Sequence, residues 1–276
     1  MDGIIDNLIN AIETWNEKLT EIWLLLTESP QNFKGGVIWN IIEKIHGSLM
    51  SIGLALLVLF FVMGIIKQFT SLNEIKRPEQ AFKLFIRFVI ARGLVVYGME
   101  LMLAIFDIVQ GIIIQITQTV GLGNASQTIL PQEIIDAVNA CSFLESIPLW
   151  AVTLLGGIFI TILSFILILT VYGRFFRIYL YTAISPIPLS AAASDATQSI
   201  AITFTKSFVG VCLEGAIIVL ACIIYSAFTS SPPIIDSTAS PTSMVWSYVG
   251  EIIFSMLILV GTVKMADRVV KEMMGL

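Results

Sequence analysis

Long apolar runs, separated by short polar or charged segments, set the pattern of this chain. Residues 47–66 and 149–172 contain no charged residue, and each is long enough, as a helix, to cross the hydrocarbon layer of a bilayer, which is about 30 Å thick. Three other runs are interrupted by only one or two charged residues. The pattern therefore predicts five membrane-spanning helices, at about residues 47–66, 93–114, 149–172, 207–228 and 244–264.

The first 28 residues have a different periodicity. Their apolar side chains recur every three or four positions, as on one face of a helix, and are Ile4, Leu8, Ile12, Trp15, Leu19, Ile22, Trp23 and Leu26. Charged residues fill the other face, so we predict an amphipathic helix. It either packs on its own protein or lies in the membrane interface with its tryptophans at headgroup depth. We expect residues 1–46 to be an extracytoplasmic amphipathic region and residues 47–276 to be the transmembrane domain.

A second unusual stretch reads RFFRIYLYTAISPIPLSAAASDATQS and occupies residues 174–199. Pro186 and Pro188 lack an N–H group, and each disfavours helical geometry at the residue before it. Residues 175–205 are therefore predicted to be a proline-broken helical segment. It is either a protein-buried element just inside the cytoplasmic face, or an interfacial loop in which the prolines only stop a helix.

The composition also indicates a membrane protein. Apolar residues make up 57% of the chain and charged residues 13%, whereas soluble domains have about a quarter charged residues. We therefore predict an all-α, polytopic helical membrane protein that is surrounded by the lipid bilayer. The net charge of −5 argues against binding nucleic acid by bulk electrostatics.

The distribution of basic residues indicates the orientation, because cytoplasmic loops retain Lys and Arg. Twelve of the fifteen bases fall in residues 67–92, 173–206 and 264–271, and the loops 118–148 and 229–243 contain none. The predicted cytoplasmic basic anchors are Lys76, Arg77, Arg87, Arg92, Arg174 and Arg177. We expect a multi-pass protein of the cytoplasmic membrane with its N-terminus outside and its C-terminus in the cytoplasm. The proline-broken segment then stays on the cytoplasmic side.

Carboxylates inside the predicted spans are the first candidate functional residues. Glu100 and Asp107 are seven residues apart and therefore share one face of a helix, and Glu214 lies in the fourth span. A carboxylate at the middle of a span costs about 2.5–3.5 kcal/mol on insertion scales, so each requires a compensating environment. These residues either line a hydrophilic path or proton-sensitive site, or they connect helices that pack together.

Catalytic and nucleotide-binding motifs are not recognisable in the sequence. The single histidine, His46, falls at the predicted outer edge of the first span and is interpreted as an interfacial residue. Cys141, Cys212 and Cys222 lack the spacing of a metal site. We expect no enzyme activity, cofactor or metal, so the energy for any driven transport has to come from a separate ATPase.

The Arg-x-x-Arg pair at Arg174 and Arg177 with the following SPIPLSAAASDAT resembles the TrbL-like polytopic inner-membrane subunit of conjugative type IV secretion systems, of the Gram-positive integrative-element type. The resemblance extends over nearly the whole chain and is strongest from Arg174 to Thr205. It implies a channel or platform subunit that forms a homo-oligomeric ring, for which five copies are one candidate number. It also implies other secretion-system membrane subunits and a VirB-type ATPase as partners, and transient passage of single-stranded DNA with its relaxase.

Two other functions stay open on the residues alone. A secondary transporter, or an ion- or proton-conducting membrane protein, would use broken helices and carboxylates near the bilayer midplane, although no internal repeat is evident. A holin-like or scaffolding protein would conduct no substrate and would not depend on Glu100 or Asp107. The resemblance favours the secretion-system subunit over these two functions, and in that role the chain helps DNA–protein substrates to cross the membrane.

Overall fold

The computed structural model describes residues 2–69, 78–120, 128–229 and 239–276. Within these ranges every regular element is a helix and no strand occurs, which confirms the predicted all-α fold. The α-helices are α1 (Asp2–Thr27), α2 (Val37–Phe69), α3 (Pro78–Val96), α4 (Gly98–Val120), α5 (Gln132–Ala140), α6 (Phe143–Ile184), α7 (Pro186–Ser190), α8 (Gln198–Thr229) and α9 (Pro241–Met274). Short 3₁₀ turns occupy Phe33–Gly36 and Ala191–Ala193.

Five helical stretches of the described chain are long and apolar enough to cross a membrane. They cover Phe33–Lys67, Gly98–Thr119, Ser146–Ile184, Gln198–Thr229 and Pro241–Met274. This confirms the prediction of a polytopic helical membrane protein.

Two helix boundaries differ from the expected ones. The predicted second span is divided at Tyr97, where α3 ends and α4 begins. The third span continues to Ile184 as part of α6, because residues 173–184 contain no proline and are mostly apolar, so nothing stops the helix. The first part of the predicted proline-broken segment therefore belongs to α6.

The chain divides into two compact units. The first unit comprises Met1–Thr27, Ile113–Tyr172 and Gly215–Ala266. The second unit comprises Glu28–Ile112, Gly173–Glu214 and Asp267–Leu276. Helices α4, α6, α8 and α9 contribute residues to both units, whereas α1 lies in the first and α2 in the second.

In the first unit, α1 packs along α6 and α8 with its apolar face. Trp15 is fully buried, and its ring lies edge-on to that of Tyr225 at a centroid distance of 6.0 Å. The Tyr172 hydroxyl donates a hydrogen bond to the Glu21 carboxylate at 2.7 Å. Of the two alternatives for the amphipathic N-terminal helix, the structure therefore supports packing on its own protein.

In the second unit, α2 packs against α7 and the turn that follows it. Gly53 makes the closest approach, since a Cβ atom at this position would lie 2.6 Å from the Pro186 carbonyl oxygen. A side chain is therefore excluded there by the backbone of the proline segment. On the neighbouring α3, Phe88 packs on Phe61 of α2 with ring centroids 4.7 Å apart.

Candidate functional site

The exposed surface of α4 carries a strip of polar or small residues, beside the exposed apolar side chains of Ile108, Ile112 and Ile114. Positions 100, 104, 107 and 111, which hold Glu, Ala, Asp and Gly, are all exposed, and Gln115 extends the same face. The opposite face is apolar and buried, at Met102, Phe106, Val109 and Ile113. Glu100 and Asp107 therefore do not connect helices that pack within this chain, although they lie in a helix able to span a membrane. We call this exposed face of α4 the carboxylate stripe.

Glu214 lies in a different environment from the carboxylate stripe. It is 1% exposed, and both its oxygens accept hydrogen bonds from Arg177 Nη2 at 2.6 Å. Arg177 Nη1 donates to Asp267 at 2.8 Å, and Lys271 Nζ donates to the other oxygen of Asp267 at 2.8 Å. The second unit thus contains a charge network that joins α6, α8 and α9. Removing one buried partner of such a pair leaves a charge without compensation.

Arg174 is buried beside this network, at 1% exposure. Its Nε and Nη2 donate to the carbonyl oxygens of Val211 and Cys212 at 3.3 and 3.2 Å, and its guanidinium lies 5.8 Å from the centre of the Phe106 ring. Nη1 has no hydrogen-bond partner among the described residues. The sequence predicted an anchor at the cytoplasmic membrane surface, whereas this guanidinium is held inside the protein by carbonyl dipoles and an aromatic face.

The proline segment keeps helical geometry for longer than the sequence predicts. Ser185, the residue before the first proline, has φ −52° and ψ −33°, and the backbone becomes extended only at Ser194, with φ −132° and ψ 143°. Pro186 nevertheless removes the N–H group that would bond the Thr182 carbonyl in a regular helix. The ladder of hydrogen bonds is interrupted at Pro186 while the α conformation continues, so the segment is a helix with missing donors.

His46 supplies a donor to the carbonyl that Pro186 leaves without its helical partner. Its Nδ1 lies 2.9 Å from the Thr182 carbonyl oxygen, and the Ser185 hydroxyl donates to the same oxygen at 3.0 Å. Because a carbonyl only accepts, Nδ1 must carry the hydrogen. The interpretation of His46 as an interfacial residue is therefore wrong, since the side chain is 2% exposed and bonded to the end of α6.

The remaining predicted basic anchors differ in their surroundings. Arg87 donates to the Ala192 carbonyl at 3.0 Å and also to Asp195 and Gln198. Arg92 is exposed on α3. Lys76 and Arg77 lie outside the described residues. Arg87 therefore connects α3 to the turn after α7 and to the start of α8.

The contacts of His46, Arg174 and Arg87 were not predicted from the sequence. The missing N–H groups of the prolines signal that nearby carbonyls need donors, but no spacing along the chain identifies a donor 136 positions away. Among the described residues, no group of three or more His, Cys, Asp or Glu side chains is arranged to hold a metal ion. The candidate site therefore consists of polar surfaces and ion pairs on otherwise apolar helices.

Comparison with known families identifies the chain. A family model described as TrbL/VirB6 plasmid conjugal transfer like protein matches residues 15–186, which is more than half of the 276 residues. The chain belongs to the TrbL/VirB6 family. It is therefore a membrane protein related to conjugal transfer and type IV secretion. No curated protein and no solved structure gives a match. The match ends at Pro186, so only part of the stretch from Arg174 to Thr205 lies within it.

Proposed function

We propose that this TrbL/VirB6 protein is a channel or platform subunit of a conjugative type IV secretion system and helps DNA–protein substrates to cross the cytoplasmic membrane. The observation that supports this role most directly is the carboxylate stripe. It places Glu100 and Asp107 on the exposed surface of a helix that is long and apolar enough to span the bilayer.

Lipid is an unsuitable neighbour for this stripe. An ionised carboxylate in mid-span costs about 2.5–3.5 kcal/mol on insertion scales. Asp107 lies well inside the candidate span Gly98–Thr119, whereas Glu100 lies in the first turn of α4. Because both side chains are exposed in the single chain, compensation has to come from water or from other protein chains. A homo-oligomeric ring in which α4 faces the inside or an adjacent copy satisfies this requirement, and the small residues Ala104 and Gly111 allow close approach.

The partners and orientation in this proposal follow from family membership and from the distribution of charge. The N-terminus lies outside and the C-terminus lies in the cytoplasm, because most Lys and Arg residues then face the cytoplasm. Other membrane subunits of the secretion system surround the ring, and a VirB-type ATPase supplies energy. Single-stranded DNA with its relaxase passes through transiently.

The test is conjugative transfer by the Glu100→Gln, Asp107→Asn double variant. These changes remove both charges with almost no change in volume, and we expect transfer to fall at least tenfold at equal protein level in the membrane. Ile108→Leu on the same turn is the matched control, because Ile108 is also highly exposed but uncharged. Wild-type transfer by the double variant would remove the support that the stripe gives to this function.

An ion-conducting protein is the second candidate, and the carboxylate stripe is also the observation that favours it. Measuring ion flux in vesicles that contain only this protein separates the two roles. A flux that depends on Glu100 and Asp107, together with unaffected transfer, would favour conduction of ions over secretion.

A further inference from the structure

The amphipathic helix α1 shares its compact unit with residues that the sequence assigns to membrane spans. The first unit contains all of 149–172 and 244–264 together with α1, whereas the predicted first span at 47–66 lies in the second unit. Helix α1 therefore shares its unit with apolar helices, and the short helix α5 also contacts it. This grouping raises the question of whether α1 itself is in the membrane.

Contacts between α1 and α6 show that the two helices run side by side in the same direction. Near the start of α1, the Asn7 carbonyl oxygen lies 3.3 Å from the position of a Cβ atom on Gly157. Near its end, Glu21 accepts the hydrogen bond of Tyr172. The stretch of α6 from Gly157 to Tyr172 rises about 22 Å, so α1 accompanies α6 over most of the hydrocarbon thickness.

The surface of α6 beside α1 is suited to lipid. Its exposed side chains in this stretch are large and apolar, at Leu155, Ile158, Phe159, Ile162, Phe165 and Leu169. No charged residue occurs between 149 and 172. This part of α6 therefore lies in the hydrocarbon layer, and α1 lies at the same depth.

We propose that α1 crosses the membrane beside α6 and turns its polar face towards a water-filled passage. The exposed residues of this face are spaced as on one side of a helix and are Asp6, Asn10, Glu13, Glu17 and Thr20. The buried face, which includes Leu8, Ile12 and Trp15, is covered by the protein's own helices. The polar face is therefore the part of α1 that needs surroundings other than lipid.

Water is the neighbour that fits the charge of this face. Asp6, Glu13 and Glu17 have the same sign, so the equivalent faces of two copies would repel each other in a dry contact. The one base on α1, Lys18, already donates a hydrogen bond to Glu21 at 2.7 Å. Closure of the passage by further copies rests on the proposed function, but the position of α1 does not.

A crossing by α1 changes the expected topology at one place. The turn around Asn32 then lies in the cytoplasm instead of outside, which revises the expectation that residues 1–46 are extracytoplasmic. Lys34 and Lys44, which the sequence-based topology leaves outside, then move to the cytoplasmic side, where bases are favoured.

Sidedness labelling tests the crossing directly. Gly3→Cys and Asn32→Cys are made separately in full-length protein whose Cys141, Cys212 and Cys222 are replaced by Ser, and an impermeant maleimide is added to intact cells and to inside-out vesicles. Both test positions are exposed. We expect Gly3→Cys to react only from outside and Asn32→Cys only from the cytoplasmic side. Reaction of both from the same side would overturn the crossing.

Disulfide cross-linking tests the packing of α1 in the membrane. The Ala11 Cβ lies 3.6 Å from the Cβ position of Gly157, within the range of about 3.5–4.5 Å found in disulfides. We expect the Ala11→Cys, Gly157→Cys pair to cross-link upon mild oxidation in membranes, and the control pair Ala11→Cys, Leu155→Cys not to do so. Equal cross-linking of both pairs, or of neither, would overturn the parallel packing.

Accessibility to a charged thiol reagent tests the passage. We expect Glu13→Cys, at an exposed position of the polar face, to react with a charged methanethiosulfonate at least tenfold faster than Phe159→Cys, which is exposed on the apolar surface of α6. Equal rates would overturn the water-filled passage. Because these experiments do not measure transfer, their failure is distinguishable from failure of the proposed secretion role, which the carboxylate-stripe variants test.

Discussion

The carboxylates of α4 and the carboxylate of α8 all lie in apolar helices, but their charges are compensated in different ways. Glu214 is buried and bonded to Arg177 through both oxygens, so its charge is compensated inside the chain. Glu100 and Asp107 are exposed on the carboxylate stripe, so their compensation has to come from outside the chain. Acidic residues in the apolar helices of this chain are therefore of two kinds, one compensated within the chain and the other left uncovered by it.

The largest effect is expected from Arg177→Met, because it leaves the Glu214 carboxylate, which is 1% exposed, without its hydrogen-bonded cation. We expect a loss of about 3 kcal/mol in the free energy of unfolding, which denaturant titration in detergent measures. The double variant Glu214→Gln, Arg177→Met should recover at least half of that loss. Wild-type stability of the single variant would show that the pair is not a structural element.

A smaller effect is expected where His46 donates to the Thr182 carbonyl. His46→Leu leaves that buried carbonyl with Ser185 as its donor, and we expect a loss of about 1 kcal/mol in the free energy of unfolding. His46→Asn keeps an N–H donor near the position of Nδ1 and should recover part of the loss. If both variants lose the same amount, packing and not the hydrogen bond determines the role of His46.

Arg174 is a third case, because it is buried without a carboxylate partner in the described structure. We expect Arg174→Met to change the free energy of unfolding by less than about 1 kcal/mol, since an apolar side chain of similar length avoids the cost of a buried charge. The matched variant is Arg177→Met, which should lose clearly more. Similar losses for both would mean that Arg174 is also needed by the charge network.

The smallest effect on stability is expected at the carboxylate stripe. Glu100→Gln and Asp107→Asn should each change the free energy of unfolding of the isolated chain by less than about 0.5 kcal/mol, because both side chains are exposed. Their effect should be seen in transfer and in the size of the oligomer on native gels. A large loss of stability in the isolated chain would place these residues in the same class as Glu214.

The helical membrane fold could be predicted because it depends on local composition. Uncharged runs such as 149–172 permit few other structures, and the periodicity of residues 1–28 gave the amphipathic helix α1. The surroundings of α1 could not be predicted in the same way. A helix packed on α6 and a helix lying on a membrane surface require the same spacing of apolar residues.

The candidate site was predictable in part. Seven-residue spacing placed Glu100 and Asp107 on one face, but exposure depends on which helices cover that face. Arg174 and Arg177 looked alike as bases near a membrane surface, although Arg174 binds carbonyl groups and Arg177 binds carboxylates. These differences arise from contacts between residues more than thirty positions apart, and a local pattern does not contain them.

At Arg87 the geometry of the side chain restricts the residue type more strongly than its charge does. For orientation in the membrane any base at this position is equivalent, yet the planar guanidinium directs Nε, Nη1 and Nη2 at three acceptors, in Ala192, Asp195 and Gln198. A lysine has a single nitrogen and no rigid fork, so it would retain the charge without reproducing the three directions. Arg87→Lys conserves the charge and is therefore expected to preserve the topology. It is also expected to weaken the contact between α3 and the start of α8.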